Sequence, residues 1–91
     1  MELEITQNTK ANKFETTVNG HTAYIEYEIY KEIIDLIFTF VPQALEGKGI
    51  ASALAKYALN YARDNHLKVR PFCHFVKLYI DRHKEYQDLL K

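Results

Sequence analysis

The spacing of apolar residues changes at Pro42, and that change splits the chain into a strand-forming half and a helix-forming half. Before it, apolar and polar residues alternate at the two-residue period of a strand; after it they recur three and four apart, the period of a helix with one buried face. Phe14, Thr16 and Val18 alternate with Glu15 and Thr17, and Asn19-Gly20 follows. Asn-Gly is the strongest short hairpin signal, because both central positions of the tight turn need positive φ. The return strand covers residues 21–30, with Ala23, Ile25, Tyr27 and Ile29 on one face and Tyr24, Glu26, Glu28 and Tyr30 on the other. Lys31-Glu32 makes a second tight connection, without the Gly or Asn that such turns favour. A third strand covers residues 33–41. Ile34, Leu36, Phe38 and Phe40 line one face of it and Ile33, Ile37 and Val41 the other, a pattern that predicts a central strand covered on both sides. Residues 2–6 are assigned to a further edge strand.

Beyond Pro42 the period is helical. Ile50, Leu54, Tyr57, Ala58 and Tyr61 share one face and Ser52, Lys56, Asn60 and Arg63 the opposite one, which predicts a helix over residues 48–64. A short strand over 67–72 ends near Pro71. A second helix over 73–82 carries the apolar stripe Phe75, Val76, Tyr79 and Ile80, and a turn of helix over 86–90 closes the chain. The order is β-β-β-α-β-α. A right-handed crossover sets the last strand parallel to the third. The expected fold is α/β in the broad sense (α+β): a mostly antiparallel, twisted sheet of four or five strands with two main helices. At 91 residues there is room for a single domain over 1–91.

Composition narrows the partners. Twelve basic residues balance twelve acidic ones, so no net charge draws the chain to nucleic acid or to an anionic membrane. The apolar run at residues 33–41 is broken by Asp35 and Thr39, far short of the ~20 residues that span a bilayer. Cys73 is the only cysteine, which excludes an internal disulfide and paired-cysteine zinc motifs, and fits a reduced, cytoplasmic setting. The opening MELEITQNTK lacks a basic segment followed by an apolar one, so no secretion signal is expected. His21, His66 and His83 read as surface residues, and no pair of them has metal-ligand spacing.

The informative segment runs from Phe40 through Val41-Pro42 to Gly47-Lys48-Gly49-Ile50-Ala51-Ser52. A strand ends, a loop holds two glycines one residue apart, and a helix begins. The first turn of a helix has unpaired N–H groups and the positive end of the dipole, and glycine lets a ligand approach the bare backbone. Together these make an anion site suited to a diphosphate. The P-loop spacing does not match. The dinucleotide fingerprint fits only over residues 47–52, and about 20 positions on, where it expects an acid, stands Lys68-Val69-Arg70.

With these residues in order, the chain resembles the GNAT superfamily of N-acetyltransferases. The signature is Val41-Pro42, then Gly47-Lys48-Gly49-Ile50-Ala51, then Leu54. It is most similar to a small one-domain branch, through Ala58-Leu59, Ala62-Arg63, Pro71-Phe72-Cys73-His74-Phe75-Val76, Tyr79-Ile80 and His83. The resemblance implies a reduced GNAT-like fold and an acetyl-CoA-dependent N-acyltransferase acting on an unidentified amine or protein acceptor. It implies that backbone N–H groups of Gly47, Lys48, Gly49, Ile50, Ala51 and Ser52 hold the pyrophosphate of acetyl-CoA or coenzyme A, and that the strand backbone near Val41 pairs with the pantetheine arm. Cys73, where a strand gives way to a helix, is either an acetyl acceptor or part of the pocket lining. Tyr79 is either the acid that protonates the departing thiolate or a core aromatic. The chain departs from the family at Ala44 and Glu46, where Gln or Arg and then Arg are common, and at Phe38-Thr39-Phe40, where the branch carries His-Thr-Glu. The rival readings are a non-catalytic CoA-binding or interaction module on the same fold and, more distantly, a small nucleic-acid binder. The oligomeric state is not readable.

Overall fold

The computed structural model describes residues 2–91. Strands β1 (Thr6–Asn8), β2 (Lys13–Val18), β3 (His21–Tyr30) and β4 (Ile33–Phe40) form an antiparallel meander. Helix α1 (Ile50–Asp64) then crosses over to β5 (Lys68–Pro71), which pairs parallel to β4, and α2 (His74–Arg82) follows. The sheet order is β1-β2-β3-β4-β5, a mixed five-stranded sheet with two main helices. Among the described residues no helix is long and apolar enough to cross a membrane, and no cluster of metal-ligating side chains forms.

The two hairpins expected from the sequence form at the expected turns. Val18 pairs with His21 around Asn19 and Gly20, whose φ values of 51° and 80° are the positive pair this tight turn demands. Tyr30 pairs with Ile33 around Lys31, which is held at φ 55° although it carries a Cβ. The edge strand differs from the expectation of 2–6. Its register is set by the turn that follows, where Asn8 Oδ1 accepts the Ala11 N–H, so pairing starts beside that turn at Asn8↔Lys13 and reaches only Thr6↔Glu15. Leu3 and Ile5 still pack on the core without joining the sheet.

The core lies on one face of the sheet. Phe14, Ile25, Tyr27, Ile34, Leu36 and Val69 point to it, and Leu54, Ala58 and Leu59 of α1 and Val76 and Ile80 of α2 close over them. Phe14 is fully buried, stacked on Tyr27 at 4.5 Å and edge-on to Tyr57 at 5.6 Å. The buried Tyr27 hydroxyl accepts a hydrogen bond from Gln7 Nε2 at 2.9 Å.

The expectation of a β4 covered on both sides does not hold. Glu26 pairs with Phe38 but Tyr27 pairs with Leu36, so Ile37 is an extra residue, a β-bulge. One inserted residue reverses the parity of everything after it. Phe38 and Phe40 therefore turn away from Ile34 and Leu36 to the open face, where they are 49% and 41% exposed beside Tyr24. Thr39 takes the helix-facing side.

The remaining boundaries shift for local reasons. Helix α1 starts at Ile50 rather than 48, because Gly49 at φ 75° is left-handed and cannot continue a right-handed helix backward. Cys73 is the extended cap of α2 rather than its first turn. The tail is a 3-10 helix over Lys84–Leu89, one to two residues earlier than read, and Leu90 then bridges to Val69 on the outer edge of β5. Arg63 holds this tail, donating to both oxygens of Asp88 and to the Glu85 carbonyl.

Lys31→Gly relieves a left-handed Cβ but adds unfolded-state entropy. The net gain should be about 0.5–1 kcal/mol, seen as a rise of a few degrees in Tm by thermal denaturation; no rise would show that the turn holds no strain.

Candidate functional site

The site forms where the sheet parts. Strands β4 and β5 pair from Ile33↔Lys68 to Leu36↔Pro71, and the Cys73 N–H makes one last bond to the Leu36 carbonyl at 3.0 Å. Beyond it β4 runs on to Phe40 while the chain turns into α2, so Ile37–Phe40 has no β5 partner. Backbone alternation sets the direction of the groups left over. The Tyr27 N–H bonds the Asn12 carbonyl on the β2 side, so Glu26 and Tyr24 turn theirs toward Phe38 and Phe40. Thr39, between them, directs its N–H and carbonyl to the cleft. Its side chain points the same way as the core, and Thr39 Oγ1 lies 3.1 Å from Cys73 Sγ, both residues half-buried.

The loop after β4 supplies the second part. Gln43–Leu45 makes a 3-10 turn pinned by buried Leu45, then Gly47 and Gly49 adopt φ values of 77° and 75°. A Cβ at either glycine would meet nothing within 4 Å, so backbone conformation, not crowding, requires glycine there, and open space lies over both. The first bond of the α1 turn runs from the Ala53 N–H to the Gly49 carbonyl, and no side chain caps the helix. The N–H groups of Ile50, Ala51 and Ser52 are thus free, with no acidic residue in the first turn to compete for them.

These residues line a groove of about 350 Å³. Val41 borders it from the end of β4, and Glu46, Gly47 and Gly49 from the loop. Ile50, Ala51 and Ser52 form its helical wall, with Leu45 and Phe75 completing it. Six of the seven residues expected to bind cofactor line the groove. Lys48 does not: between two left-handed glycines its side chain is exposed and outside the lining. Leu45 and Phe75 were not foreseen. Nor was Thr39, whose place depends on the bulge.

Tyr79 sits apart from Cys73. It is six residues along α2, about 9 Å of helical rise, and lines a second cavity of about 130 Å³ with Phe75, Arg82 and His83. Burial first, then the neighbouring Tyr86 and Glu85, pushes its hydroxyl above the usual tyrosine range, so it stays protonated at neutral pH. Its ring stacks on His83 at 3.9 Å, and His83 Nδ1 donates to the Tyr79 carbonyl at 2.7 Å. His83, expected at the surface, is half-buried by these contacts.

Known proteins resemble this chain in sequence and in fold. Residues 13–89 match a family described as GCN5-related N-acetyl-transferase. The chain belongs to that family. Chicken Protein NATD1 is 35% identical over 81 residues, covering 86% of this chain and 74% of the relative. The human Protein NATD1 is 33% identical over the same share of this chain and 72% of its own. The solution structure of a GCN5-like N-acetyltransferase-family protein from Staphylococcus aureus superposes with a TM-score of 0.76 at 32% identity, over 98% of this chain and 88% of that one. This GCN5-related chain therefore has a reduced, two-layer GNAT-like fold.

The Thr39 hydroxyl can donate to a thiolate at Cys73. Thr39→Val keeps the volume and removes that donor, so alkylation of Cys73 should slow by roughly tenfold. Iodoacetamide kinetics followed by intact mass would show it; an unchanged rate would mean the pair makes no bond to the reactive form.

Proposed function

We propose that this chain transfers an acetyl group from acetyl-CoA to an amine carried by a small molecule or a protein. The observation that carries the reading is continuity. One groove is lined by the uncapped start of α1 and by Val41, and Val41 follows directly on the β4 end without a β5 partner, where Thr39 meets Cys73. The residues fit the group. Free N–H groups and the positive end of α1 suit a diphosphate, and the empty space above Gly47 and Gly49 admits it to the backbone. When bound, acetyl-CoA supplies the activated thioester.

The chain's own atoms then act as follows. The Ile50–Ser52 amides donate to the diphosphate, and the unpaired end of β4 near Val41 bonds the amides of the pantetheine arm. The Thr39 N–H faces the cleft, where it donates to the carbonyl oxygen as negative charge develops there. The Cys73 thiol gives its proton to solvent and Sγ attacks the thioester carbon; the new C–S bond forms as the old one breaks, and CoA leaves as a thiolate that takes a proton from solvent. The acceptor amine, in its neutral form, then attacks acetyl-Cys73. Sγ departs as the thiolate, and the proton lost by the nitrogen passes to solvent.

Glu46 borders the same groove, and a carboxylate there opposes a diphosphate. Glu46→Gln should tighten CoA binding by about threefold at low salt, with the gain fading at high salt; equal affinity would mean that this exposed carboxylate points away.

Two glycines separate binding from strain. Gly47→Ala and Gly20→Ala both force alanine to a φ near 80° with no clash, so both should lose stability by about 1–2 kcal/mol. Only Gly47→Ala should weaken CoA binding in calorimetry, by about tenfold or more. With acetyl-CoA alone, acid-quenched wild type should gain one acetyl group in intact mass and Cys73→Ala none. Full turnover by Cys73→Ala would replace the acetyl-enzyme with direct attack by the amine. Failure of the wild type to bind CoA would leave an interaction module on the same fold.

A further inference from the structure

The transfer steps proposed above do not use the second cavity, yet it adjoins the groove that they do use. Ser52 and Phe75 line both, so the surface over the α1 N-terminus continues along α2 toward its C-terminal end. Its contents are specific. Phe75 and Leu78 give an apolar side. Tyr79 and His83 stand as two nearly parallel rings, 14° from coplanar, fixed by the Nδ1 bond of His83 to the Tyr79 carbonyl. At the rim is Arg82, the one cation among the lining residues.

Arg82 is set apart from the other basic groups of the C-terminal third. Arg63 is spent on Asp88 and the Glu85 carbonyl, and Lys68 on the Asp88 carbonyl. Arg70 is paired with both oxygens of Asp35 and lies over the Phe72 ring at 5.5 Å. Among the described residues, Arg82 makes no ion pair or side-chain hydrogen bond. Lys77 and Lys84 do not line the cavity. A guanidinium with all its donors unspent, beside an aromatic wall and next to a diphosphate groove, fits a nucleoside that carries an additional phosphate.

We infer that Arg82 binds the 3′-phosphate of the coenzyme and that the Phe75–Tyr79–His83 side of α2 receives its nucleoside. At about 130 Å³ the cavity takes the phosphate or a ring edge, and the rest of the nucleoside lies along the helix surface. The inference rests on the acetyl-CoA reading above and adds a selection: free CoA thioesters are bound in preference to dephospho-CoA or to a pantetheine arm without a nucleotide. It also gives Tyr79 and His83 a positioning role, in which the stacked pair forms the wall rather than taking part in proton transfer.

Calorimetry with CoA and with dephospho-CoA, on wild type, Arg82→Gln and Lys77→Gln, tests this. Lys77→Gln makes the same charge change on the same helix, outside the cavity. Wild type and Lys77→Gln should bind CoA about tenfold or more tightly than dephospho-CoA. Arg82→Gln should bind both as weakly as wild type binds dephospho-CoA. CoA and dephospho-CoA bound equally by wild type, or discrimination surviving in Arg82→Gln, would overturn the assignment while leaving the diphosphate site intact. Binding of neither ligand to wild type would overturn the cofactor reading, and this inference with it.

Discussion

The bond from the Cys73 N–H to the Leu36 carbonyl decides where this sheet ends. Up to it, β4 and β5 satisfy each other's backbone; past it, β4 must offer its groups to something else or leave them to water. The Ile37 bulge falls one residue beyond Leu36. Bulges bend a strand and increase its twist, so the place where pairing stops is also where β4 swings away. Cleft, bulge and helix start are thus one event, and Thr39 and Cys73 meet because of it. A substitution that closed the cleft by restoring regular pairing would remove the site without touching a reactive group.

A chain of 91 residues with its core on one sheet face has little area to spare. It buries the helical side densely, with Phe14, Ile25, Ile34, Leu36 and Leu54 at no measurable exposure, and ties the tail down through Arg63, Tyr86 and Leu90. The other side of the sheet is left open, and three exposed or half-exposed rings each have one of the chain's own cations over them. Lys13 Nζ lies 4.0 Å over the Tyr24 ring, Lys31 over Tyr30 and Arg70 over Phe72. Such contacts keep rings on an open strand face in polar company.

Most of the architecture was legible because it depends on local chemistry. Asn19-Gly20 dictates a hairpin, the repeat from Ile50 to Tyr61 dictates an amphipathic helix, and a glycine pair before it dictates left-handed turns. The expected groove residues were pointed to by the family resemblance, and all of them but Lys48 line the groove. The two-faced reading of β4 failed because alternation was carried unbroken through Ile37, and a bulge leaves no mark in an apolar run where every residue is acceptable on either face. Thr39 was the available signal: a hydroxyl amid Ile37, Phe38 and Phe40 calls for a partner, and its partner is Cys73. Tyr79 shows a different limit of the sequence. Its helical stripe is real, but sequence gives the face of a helix and not the distance along it to the chemistry.

The same parity flip bears on how this chain departs from its relatives. Where the similar branch carries His-Thr-Glu, the middle residue is kept and its two neighbours are Phe38 and Phe40. Only the middle position faces Cys73; both neighbours face the open side of the sheet. The α1 N-terminus and its groove lie on the helical side, so on the proposed reading a pantetheine arm reaches the cleft from there and an acceptor enters from the opposite mouth. On the proposed reading, the replaced positions therefore belong to the acceptor's side, and the cofactor's side rests largely on backbone groups that side-chain replacement cannot remove. On that reading, a cleft built from amides and two glycines keeps its donor while the outer mouth, aromatic in this chain, sets the acceptor.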